Sequence, residues 1–271
     1  MPELPEVEEV RRGLSPHVLG VRIRSIAVRR PDFVWPPGET LASLVGRRFV
    51  RLHRHGKKLF CIMDDGQTLL LHLGMTGRVD IAPTGAPILP HTHIILTLAG
   101  KKDIRFRDPR RFGGVWFYPT FEQAAAREIA PMGKDALEIQ PADLAPWRNS
   151  RGTLKQRLLS QKDVAGLGNI YVDEALWMSR LHPLQRVGRI RPAQLDELVA
   201  NIHAILNRSI QMGGTTLRDY RNVANQPGRF VRQLQAYGRG GLPCGRCGKN
   251  LLSIRVAART TIFCPLCQRR R

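Results

Sequence analysis

A chain of 271 residues with 43 Lys and Arg against 22 Asp and Glu carries a formal net charge of +21, yet its 42% hydrophobic content is too high for a disordered basic tail. No apolar run reaches the roughly 18 residues of a membrane span, and the acidic start MPELPEVEEV lacks both the basic and the apolar region of a secretory signal. Membrane and exported classes are thereby excluded, a cytoplasmic protein of about two domains is expected, and a pI of 11.1 leaves polyanions, nucleic acid before membrane surfaces, as partners.

The first segment reads as a short helix. Pro5 suits the first helical position, Glu6, Glu8 and Glu9 favour the positive end of the dipole, and Val7, Val10 and Leu14 share one face, with Gly13 and Pro16 expected to stop it. β-like runs follow at 21–29, 48–53, 59–63, 68–73, 93–98, 104–106 and 115–117. Their alternation, broken by Gly, Pro and Asp, predicts a β-sandwich rather than βαβ units. Cys61 falls inside Leu59-Phe-Cys-Ile-Met63 and reads as a buried strand residue, not a nucleophile. The stretch 84–90 reads as a loop.

From about residue 134 the period lengthens. Segments 154–160 and 170–179 read as helices joined by Val164-Ala-Gly-Leu-Gly-Asn169, with Asn169 in the N-cap position. A helix start behind a glycine turn is a ready phosphate site, although the same turn also serves as a plain tight connection. Leu195, Leu198, Val199, Ile202, Ile205, Leu206 and Ile210 mark one face of a further helix ahead of Gly213-Gly214. The fold class is therefore α+β and multi-domain: a β domain at 1–130, a helical domain at 134–232 and a C-terminal hairpin at 233–271.

That hairpin carries four of the five cysteines, as Cys244-Gly-Arg-Cys247 and Cys264-Pro-Leu-Cys267. Two residues between thiolates let both point at one tetrahedral ion, and two such knuckles close the site with no open position, so one structural zinc is expected. Paired disulfides would need an oxidising compartment. From Tyr220 to Arg271 there are eleven Lys and Arg and no carboxylate, the composition of a surface that faces a polyanion.

The acids gather instead at the N-terminus. Aminopeptidases remove Met1 when the second residue is small, and Pro2 would then present a secondary amine with a pKa of about 8, partly neutral near physiological pH and able to attack an electrophilic sugar carbon. Glu3 beside it and Glu6 one turn on could divide acid and base roles. On composition alone, the plainer reading is that Pro2, Pro5 and the glutamates simply start a helix. His72-Leu-Gly-Met75-Thr-Gly-Arg78 places a methionine on a Gly-flanked turn, and Asp108-Pro-Arg110-Arg111-Phe112-Gly113 places two guanidinium groups beside an aromatic ring. Each turn alone is compatible with solvated charge. Together with the basic tail, apolar wedges beside arginines suit entry into a base stack.

Across its whole length the sequence resembles the formamidopyrimidine-DNA glycosylases, bacterial base-excision repair enzymes for oxidised purines. The matching stretches are Pro2-Glu-Leu-Pro-Glu-Val-Glu8, His55-Gly-Lys57, His72-Leu-Gly-Met-Thr-Gly, Asp108-Pro-Arg-Arg-Phe-Gly, Gly166-Leu-Gly-Asn169-Ile-Tyr, Gly213-Gly-Thr-Thr-Leu-Arg218-Asp-Tyr, Tyr237-Gly-Arg and the cysteine ribbon ending Cys267-Gln268. The resemblance implies a β-sandwich with a short N-terminal helix, a helix–two-turn–helix domain and a zinc ribbon, with duplex DNA bound in the cleft and the protein acting as a monomer.

It also implies roles. Pro2 would be the nucleophile at C1′, Glu3 the acid that opens the sugar, and Glu6 the residue that holds the terminus. Lys57 would contact phosphate and support base removal. Met75, Arg110 and Phe112 would intercalate, Asn169 and Arg259 would bind phosphate, and Lys155 would face the nucleotide pocket or a phosphate. His72, Arg111 and Tyr237 join the implied DNA-binding set, and Arg218 would contact the flipped base from a loop at 215–237. β- then δ-elimination would follow base loss. The family lysine is commonly followed by Tyr but here by Lys58, which leaves the register between Lys57 and Lys58 open. Endonuclease VIII shares the fold and terminal Pro but prefers oxidised pyrimidines; Leu4, Met75, Arg110 and Phe112 favour the purine branch. A non-catalytic zinc-ribbon DNA binder would need only the charge and the cysteines.

Overall fold

The computed structural model describes residues 2–217 and 220–270. The chain divides into two compact units, Met1–Pro131 with Met212–Arg229, and Met132–Gln211 with Phe230–Arg271. No helix among the described residues is long and apolar enough to cross a membrane.

The first unit opens with α1 (Leu4–Val18), whose Val7, Val10, Leu14 and Val18 are buried in the core of the unit. It runs past the stops expected at Gly13 and Pro16. Pro16 sits in the last turn, where it forfeits one backbone bond, while the Ser15 hydroxyl donates to the Arg11 carbonyl at 2.7 Å. Gly13 is a packing residue, since a Cβ there would lie 2.3 Å from Val223 Cγ2.

Among the described residues nine strands follow in this unit: β1 (Ile23–Val28), β2 (Val34–Trp35), β3 (Phe49–His55), β4 (Lys58–Met63), β5 (Thr68–His72), β6 (Arg78–Pro83), β7 (Thr92–Leu98), β8 (Lys102–Arg107) and β9 (Gly114–Tyr118). They form two sheets, β1-β7-β8-β6 and β2-β9-β5-β4-β3. Of these nine, only β2 runs parallel to its neighbour, β9. Sequence patterning anticipates seven of these strands. It passes over β2, which has two residues, and β6, whose charged outward positions blend into the preceding turn.

Alternation along β4 explains its continuous apolar run. Leu59, Cys61 and Met63 face the core shared with α1. Phe60 faces the other way, into a smaller cluster with Leu70, Tyr118 and Ala124. That second face is covered by α2 (Phe121–Glu128), a short helix not anticipated from sequence and capped by Thr120, whose side chain accepts from Gln123 N. Burial pushes the Cys61 thiol up to about 12, as suits a core residue and not a nucleophile.

Residues 212–229, expected within the helical domain, pack with the first unit instead. Tyr220 and Val223 join the core cluster there, and the Gly228 N–H donates to Thr216 Oγ1. A Cβ at Gly228 would stand 2.2 Å from the Gly214 carbonyl oxygen, so the loop closes on itself only through glycine.

The second unit contains β10 (Lys134–Asp135), α3 (Leu154–Leu159), β11 (Val164–Ala165), α4 (Asn169–Met178), α5 (Pro192–Gln211), β12 (Leu252–Val256) and β13 (Arg259–Phe263). β10 and β11 pair in parallel. The apolar face read from the sequence of α5 is buried at Leu198, Val199, Ile202, Ile205, Leu206 and Ile210. The turn between α3 and α4 is clamped by Gln161, whose amide accepts from Gly166 N and donates to the carbonyls of Leu159 and Leu167.

Candidate active site and metal centre

Helix α1 begins directly after Pro2 and Glu3, so its unpaired N–H groups and positive dipole end lie at the terminus. Pro2 is buried, and Glu3 and Glu6 are 2% and 1% exposed. The two carboxylates have different occupations. Glu6 Oε2 accepts from Glu3 N at 2.8 Å and Glu6 Oε1 from Thr215 N at 2.7 Å, while Tyr220 Oη donates to the Glu6 carbonyl. Glu6 therefore ties the terminus to the 212–229 loop.

Glu8 is engaged differently. Burial opposes its ionisation, but hydrogen bonds and ion pairs from Arg11, Arg12 and Arg54 outweigh it and hold the carboxyl at about 2. Arg54 also donates to the Gly56 carbonyl, so one guanidinium links α1 to the β3–β4 turn that carries Lys57. Sequence reasoning missed Arg54; its only signal is a lone arginine two residues before a glycine turn.

The structure distinguishes the two neighbouring lysines. Lys58 is the first residue of β4, and its ammonium contacts Glu128 Oε2 at 2.6 Å and the Glu128 carbonyl at 2.9 Å, with Tyr118 Oη completing the cluster. Lys57 stands on the turn itself. His72 pairs with Lys58 across the β4–β5 ladder. Burial, followed by the Lys58 ammonium, keeps its imidazole below the ordinary histidine value, so at pH 7 His72 offers a neutral ring to any partner.

The turns bearing Met75 and Arg110–Phe112 come together. A Cβ on Gly74 would lie 2.4 Å from Gly113 N, and one on Gly113 would lie 2.4 Å from the His72 carbonyl oxygen. Phe112 is half exposed, with the Arg110 guanidinium 4.6 Å over its ring. Arg111 sits apart from this stack, in an exposed ion pair with Asp32. Arg218 lies outside the described residues.

In the second unit the structure corrects two readings. Gly168, not Asn169, is the N-cap of α4. Asn169 is the first helical residue, and its amide donates to the Thr260 carbonyl at 2.8 Å, which brings it beside the hairpin strand that begins with exposed Arg259. Lys155, expected to face a nucleotide or phosphate, has no exposed side-chain surface; its ammonium contacts Asp173 Oδ1 at 2.5 Å. The reason is the neighbour one helix away: burial drives the Asp173 carboxyl up to about 7 against the pull of Lys155, and Asp173 Oδ2 also accepts from Ile262 N in β13. Lys155 thus supports the hairpin from inside. Lys155→Met is expected to lower the unfolding free energy by about 3 kcal/mol, the cost of orphaning a buried charge partner; urea denaturation showing no loss would mean the pair contributes no net stability.

Glu174, next along α4, accepts from the backbone N–H groups of Gln235, Ala236 and Tyr237, so Tyr237 is fixed through its main chain. Beyond it the Sγ atoms of Cys244, Cys247, Cys264 and Cys267 lie within 4.8 Å of one another. Cys247 and Cys264 Sγ are 3.4 Å apart, too far for a disulfide and suited to a shared ion. Trp177 Nε1 and Cys267 N donate to the sulfurs of Cys244 and Cys264, as partners of thiolate ligands do. Four thiolates with no open position hold one structural zinc.

Three family models match the chain: the formamidopyrimidine-DNA glycosylase N-terminal domain over residues 1–115, the formamidopyrimidine-DNA glycosylase H2TH domain over 135–221, and the zinc finger found in FPG and IleRS over 241–270. The formamidopyrimidine-DNA glycosylase of Shewanella loihica is 40% identical over 273 residues, covering 100% of both chains. That of Shewanella halifaxensis is 38% identical over 272 residues, covering 99% of this chain and 100% of the relative. Among solved structures, the Lactococcus lactis Fpg in complex with DNA containing an abasic site is similar at a TM-score of 0.91 and 34% identity, and MutM in complex with DNA containing carbocyclic 8-oxo-G at 0.91 and 33%; each covers 99% of this chain and 100% of the other.

Proposed function

We propose, for a chain that belongs to the formamidopyrimidine-DNA glycosylase family, that the Pro2 amine attacks C1′ of an oxidised purine nucleotide in duplex DNA once Met1 has been removed. The protein is a DNA glycosylase with abasic-site lyase activity. In the proposed sequence the nitrogen lone pair forms the bond to C1′ and the glycosidic bond breaks, its electron pair leaving with the base. Glu3 protonates the ring oxygen as the sugar opens to an iminium. β-Elimination then removes a proton from C2′ and breaks the bond from C3′ to its oxygen, δ-elimination removes one from C4′ and breaks the bond from C5′ to its oxygen, each phosphate leaving with its electron pair, and water hydrolyses the iminium to release the sugar fragment and Pro2, so that a one-nucleotide gap remains.

The division of labour between Glu3 and Glu6 carries this reading. Both Glu6 oxygens accept from backbone N–H groups, so Glu6 positions the terminus. Glu8 is held ionised by arginines and cannot serve as an acid near neutrality. Glu3 is the buried carboxyl next to Pro2 in the chain, its side chain joined to the Glu6 main chain in a reciprocal capping box that holds it at the terminus. An apolar Met75 and Phe112 with Arg110 would enter the stack as the nucleotide is extruded. Lys57 and His72 would meet DNA from the first unit, and Asn169, Tyr237 and Arg259 from the second. The protein acts as a monomer in the bacterial cytoplasm. Oxidised purines are preferred to the pyrimidines of an endonuclease VIII-like enzyme, a reading supported by Leu4, Met75, Arg110 and Phe112, which match the purine branch of the family.

Borohydride reduction in the presence of duplex DNA containing 8-oxoguanine opposite cytosine is expected to trap a covalent adduct that maps to Pro2. Failure of Met-free protein to form an adduct, or an adduct on a lysine with Pro2→Gly fully active, would overturn the assignment.

A further inference from the structure

Asp108 is fully buried, yet neither the sequence motif nor the chemistry above gives it a task. Its carboxylate lies where the Met75 turn meets the Arg110–Phe112 turn. Oδ1 accepts the Thr76 hydroxyl from one side and the Arg110 N–H from the other, and Oδ2 accepts the Gly113 N–H at 2.8 Å. The Thr76 hydroxyl oxygen in turn accepts from Arg110 N at 3.3 Å, and the Asp108 carbonyl bonds His93 Nε2 at 2.8 Å. With the close approach of Gly74 to Gly113, these bonds tie the two turns together at both backbone and side chain.

We propose that Asp108 and Thr76 are positioning residues that lock the Met75 turn to the Arg110–Phe112 turn, so that wedge, guanidinium and ring enter the base stack as one preorganised body. The proposal rests on the reading that Met75, Arg110 and Phe112 intercalate. An isolated loop would have to be ordered at each lesion; a loop pinned to a buried carboxylate meets that cost during folding, which lowers the barrier to extrusion. Three of the acceptor's bonds come from residues within one position of an intercalating side chain, so a change at Asp108 moves the register of both turns together.

The test compares Thr76→Val, which removes the hydroxyl at nearly constant shape, Thr76→Ser, which restores it, and Asp108→Asn, which replaces one acceptor by a donor. Excision of 8-oxoguanine opposite cytosine is expected to fall about 10- to 100-fold in Thr76→Val and Asp108→Asn and the preference for the opposite base to flatten. Cleavage of a preformed abasic site in single-stranded DNA, where no stack needs entering, should stay at the wild-type rate. Thr76→Ser should recover both excision and preference. Equal loss on both substrates, or no rescue by serine, would mark a merely structural role and overturn the proposal. Wild-type excision and preference in Thr76→Val would also overturn it. Met75→Ala and Phe112→Ala run in parallel separate the premises: if they too excise normally, the intercalation reading fails, and if only they are impaired, the locking proposal fails alone.

Discussion

Glu3→Gln is expected to lower base excision by about 100- to 10,000-fold, the usual contribution of a general acid, while leaving DNA binding largely intact. The substitution preserves shape and removes the titrating proton. The other acids of α1 cannot substitute: Glu6 is committed to Glu3 N and Thr215 N, Glu8 is held at about 2, and Glu9 lies six residues further along, roughly 9 Å of helix rise away. Cleavage of a preformed abasic site should survive, since its sugar already presents an aldehyde to the amine. Single-turnover excision on 8-oxoguanine duplex, with binding measured by fluorescence anisotropy, checks this. A large loss of binding would mark Glu3 as structural, and unaltered excision would remove it from the mechanism.

Stripping zinc is expected to unfold the ribbon and weaken binding to DNA of every sequence. The small core of the ribbon comprises Ala236, Cys244, Leu251, Ile262 and Cys264, two of which are metal ligands, and so few apolar groups cannot offset the entropy of ordering the segment without the ion. Loss of the hairpin separates Arg259 from the Thr260–Asn169 contact and removes a phosphate contact, which should reduce the slope of log affinity against log salt by about 1. Trp177 reports the event, because its indole N–H donates to Cys244 and its ring carries the Arg246 guanidinium at 4.2 Å. Chelator titration followed by Trp fluorescence and by anisotropy at several salt concentrations should show both changes at the same zinc occupancy. Undiminished affinity in the zinc-free protein would refute the role of the hairpin in phosphate binding.

Much of the architecture was legible because local chemistry dictated it. The C-x2-C pairs required a closed metal site, period-2 alternation marked most of the sandwich strands, and the apolar stripe of α5 was unambiguous. Elements held by contacts distant in sequence were not legible. The length of α1 is an example: Gly13 and Pro16 signal an end in any local reading, but packing of Val10, Leu14 and Val18 into the core carries the helix on, with Val223 filling the space that Gly13 leaves open. β6 and α2 depended in the same way on partners supplied by the sheets.

The site shows the same split. Residue types and their order along the chain were enough to locate the four cysteines of the metal centre, and they put forward Pro2, Glu3 and the two turns as candidates, because amine, carboxylate, wedge and thiolate each carry their chemistry in the side chain. How each carboxylate is partnered, which lysine is buried and which loop belongs to which unit depend on partners 18 to 209 positions away, as for Lys155 with Asp173 and Thr215 with Glu6. Lys155 is the clearest case. Its charge suggested a phosphate, and only the fold placed Asp173 against it in a space closed to solvent, where an ammonium without a counter-charge could not persist.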